Sequence, residues 1–392
     1  MSKSRCRIFV LAIAFSRVAE ADIPGLQPEK AWDLNGYIKY MGTATLPDVG
    51  DNLFDNLVNQ RFNFEYRLSS NLRFNAGMRN RFIWGESAEN PYYSDYIGLD
   101  LGYVDLSKNW AEGERYVGNS QLDRLYIDWN KDNWQVTGGR FRINWGMTTV
   151  WNPNDVFNSY SIYDFDYEER PGTDALSLSS KLGFASSFDL VYSPNEEHHL
   201  NSYAMRYLFN VEEWDIQLIG GKARLDNVIG VGIAGDIKGG GLRAEVSYFD
   251  PTQDSWQDVD QVSALVSSLE MDYSFGGQGN WTVKGSIMHN SSPQDPISAN
   301  AFLSLPLTAK TLSFTELTSY LDASFEVSAL SRVTLSTIYY KDGSYFLGLS
   351  NNYSLANNWQ LLGVVQYFDG DKDSLFSQSS STLMFAQIKW SF

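Results

Sequence analysis

The sequence predicts an all-β protein, a transmembrane antiparallel up-and-down β-barrel of about 18 strands. Two patterns support this prediction: apolar and polar residues alternate in segment after segment, and the connections between segments alternate between short and long. In addition, no apolar run approaches the roughly 20 residues that a spanning helix needs. The mean hydropathy of −0.31 agrees with a barrel, because only one face of each strand has to be apolar.

The chain of 392 residues could form two or three soluble domains or one large barrel. Its first part is typical of a secretory signal peptide over residues 1–21. The signal combines a basic start, a short apolar core and an A-x-A cleavage pattern: Lys3, Arg5 and Arg7, then residues 8–15, then Ala19 and Ala21. No low-complexity or proline-rich linker follows, so we expect residues 22–392 to form a single barrel domain. The only cysteine, Cys6, lies in the predicted signal.

The alternation is clearest in a predicted hairpin around residues 69–71. One face of each arm is apolar, with Phe64 and Phe74 as examples, and the other is polar or charged, with Asn63 and Asn75 as examples. In a membrane barrel the apolar face meets lipid and the polar face lines the lumen. The same pattern predicts strands at residues 32–41, 58–68, 72–83, 121–130, 134–144, 174–180, 187–193, 201–209, 214–223, 227–236, 241–249, 261–273, 281–290, 314–327, 332–340, 344–354, 358–368 and 381–392.

Connection lengths predict the orientation of the barrel. Long connections are expected at residues 42–57, 84–120, 145–173, 291–312 and 369–380, and short turns lie between many of them. Outer-membrane barrels have short periplasmic turns and long external loops, and an even strand number places both termini in the periplasm. Four of the short turns end in tryptophan: Trp134, Trp214, Trp281 and Trp359. Because an indole suits the membrane interface, we interpret them as part of a periplasmic aromatic girdle.

The last strand carries a resemblance to a known family. In residues 381–392 the apolar Met384, Ile388, Trp390 and Phe392 share one face, while Gln387 falls on the other. An aromatic residue at the extreme end resembles the terminal strand of Gram-negative outer-membrane β-barrels. The resemblance implies that this strand pairs with the first strand and is the signal for the barrel-assembly machinery. It also implies a location in the outer membrane after signal cleavage and contact with outer-membrane lipids, and it is compatible with a homotrimer.

The densest block of polar and aromatic residues covers positions 140–175. Its R-x-N-W-G and W-N-P-x-D-x-F-N elements resemble a block found in porin-like outer-membrane proteins. In general porins the third long loop folds into the lumen and narrows it, which implies the same for residues 145–173 here. The alternative is a loop that packs on the external surface.

Arginines cluster on the strands before this block, and acidic residues cluster within it. The predicted pore-lining set consists of Arg61, Arg79, Arg81, Arg140, Arg142, Asp155, Asp164, Asp166, Glu168 and Glu169. In a symmetric hairpin Arg61 lies opposite Arg79, and like charges in direct opposition are destabilising unless anionic groups lie nearby. We therefore expect the third loop to set its acids across from an arginine wall. The alternative is that each arginine only satisfies hydrogen bonds of the barrel wall.

Functional classes outside transport find little support in the sequence. A net charge of −17 argues against nucleic acid as a partner. The acidic loop at residues 86–114 could attract divalent cations, but its spacing is not that of an EF-hand, which favours a solvated acidic surface. His289 beside Ser291 suggests a membrane-embedded serine hydrolase, yet no third partner can be placed. We expect no catalytic residues, no cofactor and no bound metal.

The sequence therefore predicts a porin-like channel for the diffusion of small hydrophilic solutes, because barrels of 16–18 strands enclose an aqueous channel. One alternative is an export conduit for an acidic polysaccharide, since a basic wall suits a polyanion. An outer-membrane hydrolase that depends on His289 is a second alternative. A structural or adhesive barrel that acts through its external loops is a third.

Overall fold

The computed structural model describes residues 30–163, 170–277, 279–304 and 307–392. Its strands are β1 (Trp32–Pro47), β2 (Leu53–Ser69), β3 (Leu72–Gly85), β4 (Ser107–Gly113), β5 (Tyr116–Lys131), β6 (Trp134–Phe141), β7 (Thr173–Lys181), β8 (Ser187–Ser193), β9 (Ser202–Val211), β10 (Trp214–Ala223), β11 (Asp226–Ile237), β12 (Gly240–Pro251), β13 (Ser255–Trp256), β14 (Val259–Asp260), β15 (Ala264–Phe275), β16 (Trp281–Asn290), β17 (Leu317–Ser328), β18 (Ser331–Tyr340), β19 (Ser344–Ala356), β20 (Trp359–Gly370) and β21 (Ser381–Ser391). Two short helices are α1 (Tyr93–Gly98) and α2 (Ala299–Ser304). No helix in these ranges is long and apolar enough to cross a membrane.

Each long strand pairs antiparallel with the next, and β1 pairs with β21 from Tyr37 opposite Ser391 to Pro47 opposite Ser381. This last pairing closes the sheet into a barrel of 18 strands, which confirms the predicted fold class. Three further strands lie outside this count. Strand β4 pairs with β5, and β13 pairs with β14 in a separate two-residue hairpin.

The predicted strands match the 18 barrel strands one for one, with the larger differences at the ends that carry the long connections. The prediction of a long loop at residues 42–57 is wrong, because β1 continues to Pro47 and pairs with β2 from Thr45 opposite Leu53. Alternation fades there because the apolar band of a barrel is only about 25 Å tall, and paired strands extend beyond it. The predicted loop at residues 84–120 contains α1 and β4, which the alternation did not predict.

Strand β6 is shorter than predicted and ends at Phe141, where the chain leaves the barrel wall. It pairs with the lower part of β5, from Leu125 to Lys131. Beside the upper part of β5, from Tyr116 to Gln121, β4 takes the position that β6 vacates. The chain after β6 can therefore leave the wall, while the upper part of β5 remains hydrogen-bonded to β4.

The two faces of the barrel wall differ as the alternation predicts. Glu270 is completely buried, whereas its neighbours Leu269 and Met271 are 47% and 53% exposed. A buried carboxylate between exposed apolar residues reverses the pattern of a soluble protein, and it is the arrangement of a membrane barrel with a polar interior. Each of the four tryptophans singled out above is the first residue of its strand, as predicted.

Candidate functional site

The segment between β6 and β7, residues 142–172 and here named loop 3, reaches the far wall of the barrel. Its Thr148 and Asn154 donate backbone N–H groups to the carboxylate of Glu245 on β12 at 2.7 and 2.8 Å. The Met147 N–H and the Thr148 hydroxyl also donate to Glu245. Because Glu245 is fully buried on the inward face of β12, these contacts place this part of loop 3 inside the barrel.

A second buried carboxylate continues this anchorage one strand further. Glu270 on β15 accepts the backbone N–H groups of Thr149 and Val150 at 2.8 and 3.0 Å, and the Thr149 hydroxyl at 3.0 Å. Lys284 on β16 donates to the same hydroxyl at 2.6 Å. Buried carboxylates are costly unless they are hydrogen-bonded, and here the donors come from consecutive peptide groups of loop 3.

The local sequence of loop 3 fits these contacts. The turn formed by residues 152–155 directs the side chain of Asn154 into the wall, where Asn154 donates to Gln217 at 2.9 Å and accepts from Ser247 at 2.7 Å. Room for the turn comes from β11, since a Cβ at Gly230 would lie 2.7 Å from the Asn154 side-chain oxygen. A Cβ at Gly232 would lie 2.6 Å from the sulfur of Met147. Both glycines are therefore places where the loop approaches the wall backbone closely.

Further along loop 3, Tyr163 enters an aromatic cluster on the inner face of β18–β20. Its hydroxyl lies 2.5 Å from that of Tyr340, and its ring centroid lies 5.1 Å from Phe346 and 5.4 Å from Phe368. Phe302, Phe314 and Phe376 complete the cluster. Loop 3 returns to the β5 side, where Gly172 donates its N–H to the Asp123 carbonyl at 3.1 Å. The described part of loop 3, residues 142–163 and 170–172, therefore contacts the inner face of the wall on β12, β15 and β18–β20 and again at β5.

Acids of the barrel wall itself bind two of the arginines singled out from the sequence, Arg61 and Arg140. Arg61 lies directly opposite Arg79, as the hairpin symmetry predicts. Both oxygens of the Asp123 carboxylate accept hydrogen bonds from the Arg61 guanidinium, at 2.6 and 3.0 Å. Both side chains are fully buried. Asp123 was not singled out from the sequence, although its place on the polar face of β5 opposite the arginines was a usable signal.

Arg140 is held by two further acids. Asp174 on β7 accepts two guanidinium hydrogen bonds at 2.7 and 2.8 Å, and Asp100 accepts another at 2.6 Å. A Cβ on Gly102 would lie 1.8 Å from the Arg140 guanidinium, so the chain around Asp100 wraps closely around this cation. Arg140 thus connects the second long loop to the barrel wall. The partners expected from the sequence were acids of loop 3 instead.

Asp155 of loop 3 lies close enough to Arg142 and Arg170 to interact with their charges. Asp155 is fully buried, and its carboxylate oxygens form no hydrogen bond with the described residues. Burial raises the pKa of Asp155 to about 6, while the nearby Trp145 backbone and the charges of Arg142 and Arg170 oppose this rise. An ionised carboxylate in this position is costly because burial removes the water that would solvate its charge.

A cavity of about 2,420 Å³ lies above loop 3. Arg79, Arg81 and Arg140 line it from the wall, and Tyr160 and Arg170 line it from loop 3. The guanidinium of Arg170 stacks on the Tyr160 ring, whose hydroxyl donates to the Thr149 carbonyl at 2.8 Å. Arg61, Arg142 and Asp155 are not among the described residues that line the cavity.

The four remaining predicted acids, Asp164, Asp166, Glu168 and Glu169, lie outside the described residues. Their place opposite the arginine wall stays a prediction.

The residues considered for other chemistry have structural partners. His289 lies 3.9 Å from Glu316, and the Ser291 hydroxyl accepts the Leu265 N–H at 2.8 Å; within the described ranges no hydrogen bond joins His289 to Ser291. In the acidic loop, Glu86 accepts the Phe54 N–H at 2.6 Å and also pairs with Arg115. Among the residues that the structure describes, no group of three histidine, cysteine or acidic side chains is arranged to hold a metal ion.

Comparison with known proteins identifies the fold. No protein-family model matches the chain, and no curated protein matches it in sequence. The crystal structure of Acinetobacter baumannii OccAB2 matches 92% of this chain and 98% of its own, with a TM-score of 0.60 and 8% identity. The crystal structure of A. baumannii OccAB4 matches 93% of this chain and all of its own, with a TM-score of 0.58 and 8% identity. The crystal structure of Pseudomonas aeruginosa OccD3 (OpdP) matches 92% of this chain and 91% of its own, with a TM-score of 0.55 and 10% identity.

Proposed function

We propose that this protein is an outer-membrane channel for passive or facilitated diffusion of small hydrophilic solutes. Its fold is that of outer-membrane β-barrel channels, with structural similarity to the Occ/OprD family at low identity. In this proposal loop 3 and the arginine-bearing strands β2, β3 and β6 form the constriction. The observation that supports it most directly is the course of loop 3, which contacts the inner face of the wall and leaves the cavity between itself and Arg79 and Arg81.

The cavity is lined by charges of both signs, and we base a local preference for anions on its arginines. Arg61 and Arg140 are each bound by buried carboxylates, so their fields are largely compensated within the wall. Arg79, Arg81 and Arg170 line the cavity itself. A cleft with low-dielectric walls focuses the field of its charges and raises the local concentration of solutes with the opposite sign. The acids predicted near the tip of loop 3 would add an opposing field across the same gap.

The cellular setting follows from the same proposal. Cleavage of residues 1–21 would release a chain whose last strand is read by the barrel-assembly machinery, and the exposed apolar face of the barrel would contact outer-membrane lipids. A homotrimer remains an expectation from the resemblance to porins.

Ion selectivity in planar lipid bilayers tests the arginines. We expect replacement of Arg79 and Arg81 by glutamine to shift the reversal potential toward cation selectivity. The shift should be largest at low ionic strength, because the Debye length falls to about 10 Å at 0.1 M salt. Arg115→Gln is the matched control, since Arg115 is exposed on the external side and binds Glu86 and Glu89. An unchanged reversal potential in folded Arg79 and Arg81 variants would contradict an electrostatic constriction.

Single-channel conductance tests loop 3. Deletion of residues 159–169 should raise conductance, because this segment includes Tyr160 and Tyr163, which line the cavity. Glycine substitution of residues 196–199, an external turn that does not line the cavity, serves as the control. Heat-modifiable migration in gels verifies that each variant is folded. Equal conductance of wild type and deletion variant would show that loop 3 does not limit the passage.

A further inference from the structure

A stretch of the second long loop, residues 99–106 and here named the loop 2 segment, is hydrogen-bonded to the inner side of the barrel wall. Arg140 on β6 donates to the Asp100 carboxylate at 2.6 Å and to the Val104 carbonyl at 2.5 Å. The Val104 N–H donates to the carboxylate of Asp174 on β7 at 2.9 Å. These contacts join residues 36 to 70 positions apart in the chain, so they fix the segment against the wall rather than stabilise a local turn.

Each N–H donor of the Arg140 guanidinium has an acceptor in this arrangement. A guanidinium carries one N–H group at Nε and two at each terminal nitrogen. Two of these donors bind Asp174 at 2.7 and 2.8 Å. The others bind Asp100, Val104 and the carbonyl of Leu122 at 2.6, 2.5 and 3.4 Å. Because the Arg140 side chain is also only 3% exposed, it has no N–H group left for a solute, and the two carboxylates outweigh its charge.

The backbone of the loop 2 segment packs directly against this guanidinium. A Cβ on Gly102 would lie 1.8 Å from a terminal nitrogen of Arg140 and 2.7 Å from an Asp174 carboxylate oxygen. The Gly102 N–H donates to Asp100 at 2.9 Å, which folds the segment around the same group. A side chain at position 102 would displace either the segment or the guanidinium, and either movement would break the hydrogen bonds between them.

The loop 2 segment also forms one side of the cavity above loop 3. Its residues Leu99, Leu101 and Tyr103 line the cavity, as does part of loop 3. Just before the segment, the Ile97 carbonyl accepts a hydrogen bond from Arg81 at 2.9 Å. Arginines of the wall therefore hold loop 2 at two points, and its displacement would change the dimensions of the cavity.

We propose that Arg140 is a positioning residue, which together with Asp100 and Asp174 clamps the loop 2 segment in place as a second wall of the passage, beside loop 3. Arg140 acts on permeation through this clamp and not as a charge that attracts solutes. The effect on conduction rests on the proposed function, whereas the clamp itself does not depend on what the barrel conducts.

Three variants break the clamp but change its charge differently. Arg140→Gln removes a positive charge, Asp174→Asn removes a negative charge, and Gly102→Ala leaves the charge unchanged. Single-channel conductance is measured for each variant in planar lipid bilayers. Limited digestion with chymotrypsin reports how fast the folded barrel is cleaved after Tyr103, and heat-modifiable migration verifies folding.

Two controls match these substitutions. Arg332→Gln removes an arginine that pairs with Glu326, and neither residue is among the described residues that line the cavity. Gly183→Ala adds a methyl group at a position where no other atom lies within 4 Å. Both controls should behave like wild type.

We expect all three clamp variants to raise single-channel conductance, because each frees the loop 2 segment. Cleavage after Tyr103 should become about tenfold faster or more, since loss of a hydrogen bond to a charged group shifts a local opening equilibrium by roughly that factor. If Arg140 instead attracted solutes by its charge, Arg140→Gln and Asp174→Asn would change conductance in opposite directions and Gly102→Ala would have no effect. That result overturns the proposal.

Unchanged cleavage after Tyr103 in the variants also overturns it, as does faster cleavage with unchanged conductance. Gly102→Ala decides the question by itself if a variant that removes a buried charge fails to fold. Deletion of residues 159–169 separates this inference from the proposed function. If the deletion raises conductance and the clamp variants do not, only the second wall fails; if neither changes conductance, the proposed constriction fails as well.

Discussion

Gly36 and Phe392 exchange two backbone hydrogen bonds, with the Gly36 N–H donating to Phe392 at 3.1 Å and the Phe392 N–H donating to Gly36 at 3.0 Å. The last residue of the chain is thus part of the ladder that closes the barrel. Its ring packs against Phe62 at a centroid distance of 6.1 Å. A Cβ on Gly36 would lie 2.0 Å from the Arg61 carbonyl oxygen, so glycine permits the close approach of these strands.

The first prediction concerns this closure. Replacement of Trp390 and Phe392 by serine should reduce the amount of folded protein in the outer membrane, because the variant loses the aromatic contacts that the terminal strand makes with Trp359 and Phe62. The measurement is the yield of heat-modifiable protein in the outer-membrane fraction. Ser391→Ala, which alters the same strand without removing an aromatic ring, is the control. An unchanged yield for the serine variant would refute the assembly role.

The second prediction concerns the two faces of the first hairpins. Cysteines at Asn63 and Asn75 should react with a membrane-impermeant maleimide in the inserted barrel, and cysteines at Phe64 and Phe74 should be protected by lipid. The Phe64 and Phe74 rings contact each other across β2 and β3, at a centroid distance of 6.4 Å. If Cys6 is removed with the signal, the background is free of thiols. Equal labelling of both pairs would be incompatible with the membrane barrel.

The third prediction concerns the buried pair of Arg61 and Asp123. Asp123→Asn should destabilise the barrel by about 3–5 kcal/mol, because it removes the charge of a fully buried carboxylate that binds the buried Arg61 guanidinium through both oxygens. Asp33→Asn is the matched control, since Asp33 pairs with the partly exposed Arg67, where about 0–1 kcal/mol is expected. Denaturant unfolding in detergent or lipid gives both values. Similar losses of unfolding free energy for the two variants would show that the buried ion pair contributes no more to stability than the partly exposed one.

The fourth prediction concerns pH and Asp155. Its pKa of about 6 in the folded protein lies above the ordinary value of 3.8, so the ionised form destabilises the folded state at neutral pH. That cost disappears as the pH falls through 6 toward 4. Asp155→Asn should therefore be more stable than wild type at neutral pH, by up to about 3 kcal/mol, and similar to it in acid. Unfolding midpoints at several pH values provide the measurement. A stability difference that is independent of pH would contradict the burial of an ionisable Asp155.

Much of the fold could be predicted from local patterns. Alternation with a period of two identifies each strand without reference to its partner, and the turn residues around Asn71 set the register in which Arg61 meets Arg79. The terminal aromatic residue predicted that the last strand closes the barrel. The short turns before Trp134 and Trp281 predicted which end of the barrel faces the periplasm. These signals extend over a few residues, and a barrel of consecutive antiparallel neighbours needs little more to specify its topology.

The sequence by itself determined the strands, their two faces and the identity of a long polar loop after β6. Only the tertiary structure decided where that loop goes and which charges meet. The contact of Glu245 with Asn154 spans 91 residues, and that of Arg61 with Asp123 spans 62. The sequence of a single strand does not distinguish an inward-facing carboxylate that is in contact with water from one that binds an arginine or a loop. The barrel's curvature and closure bring distant strands to face one interior, and burial there makes each unpaired charge costly enough to select its partner.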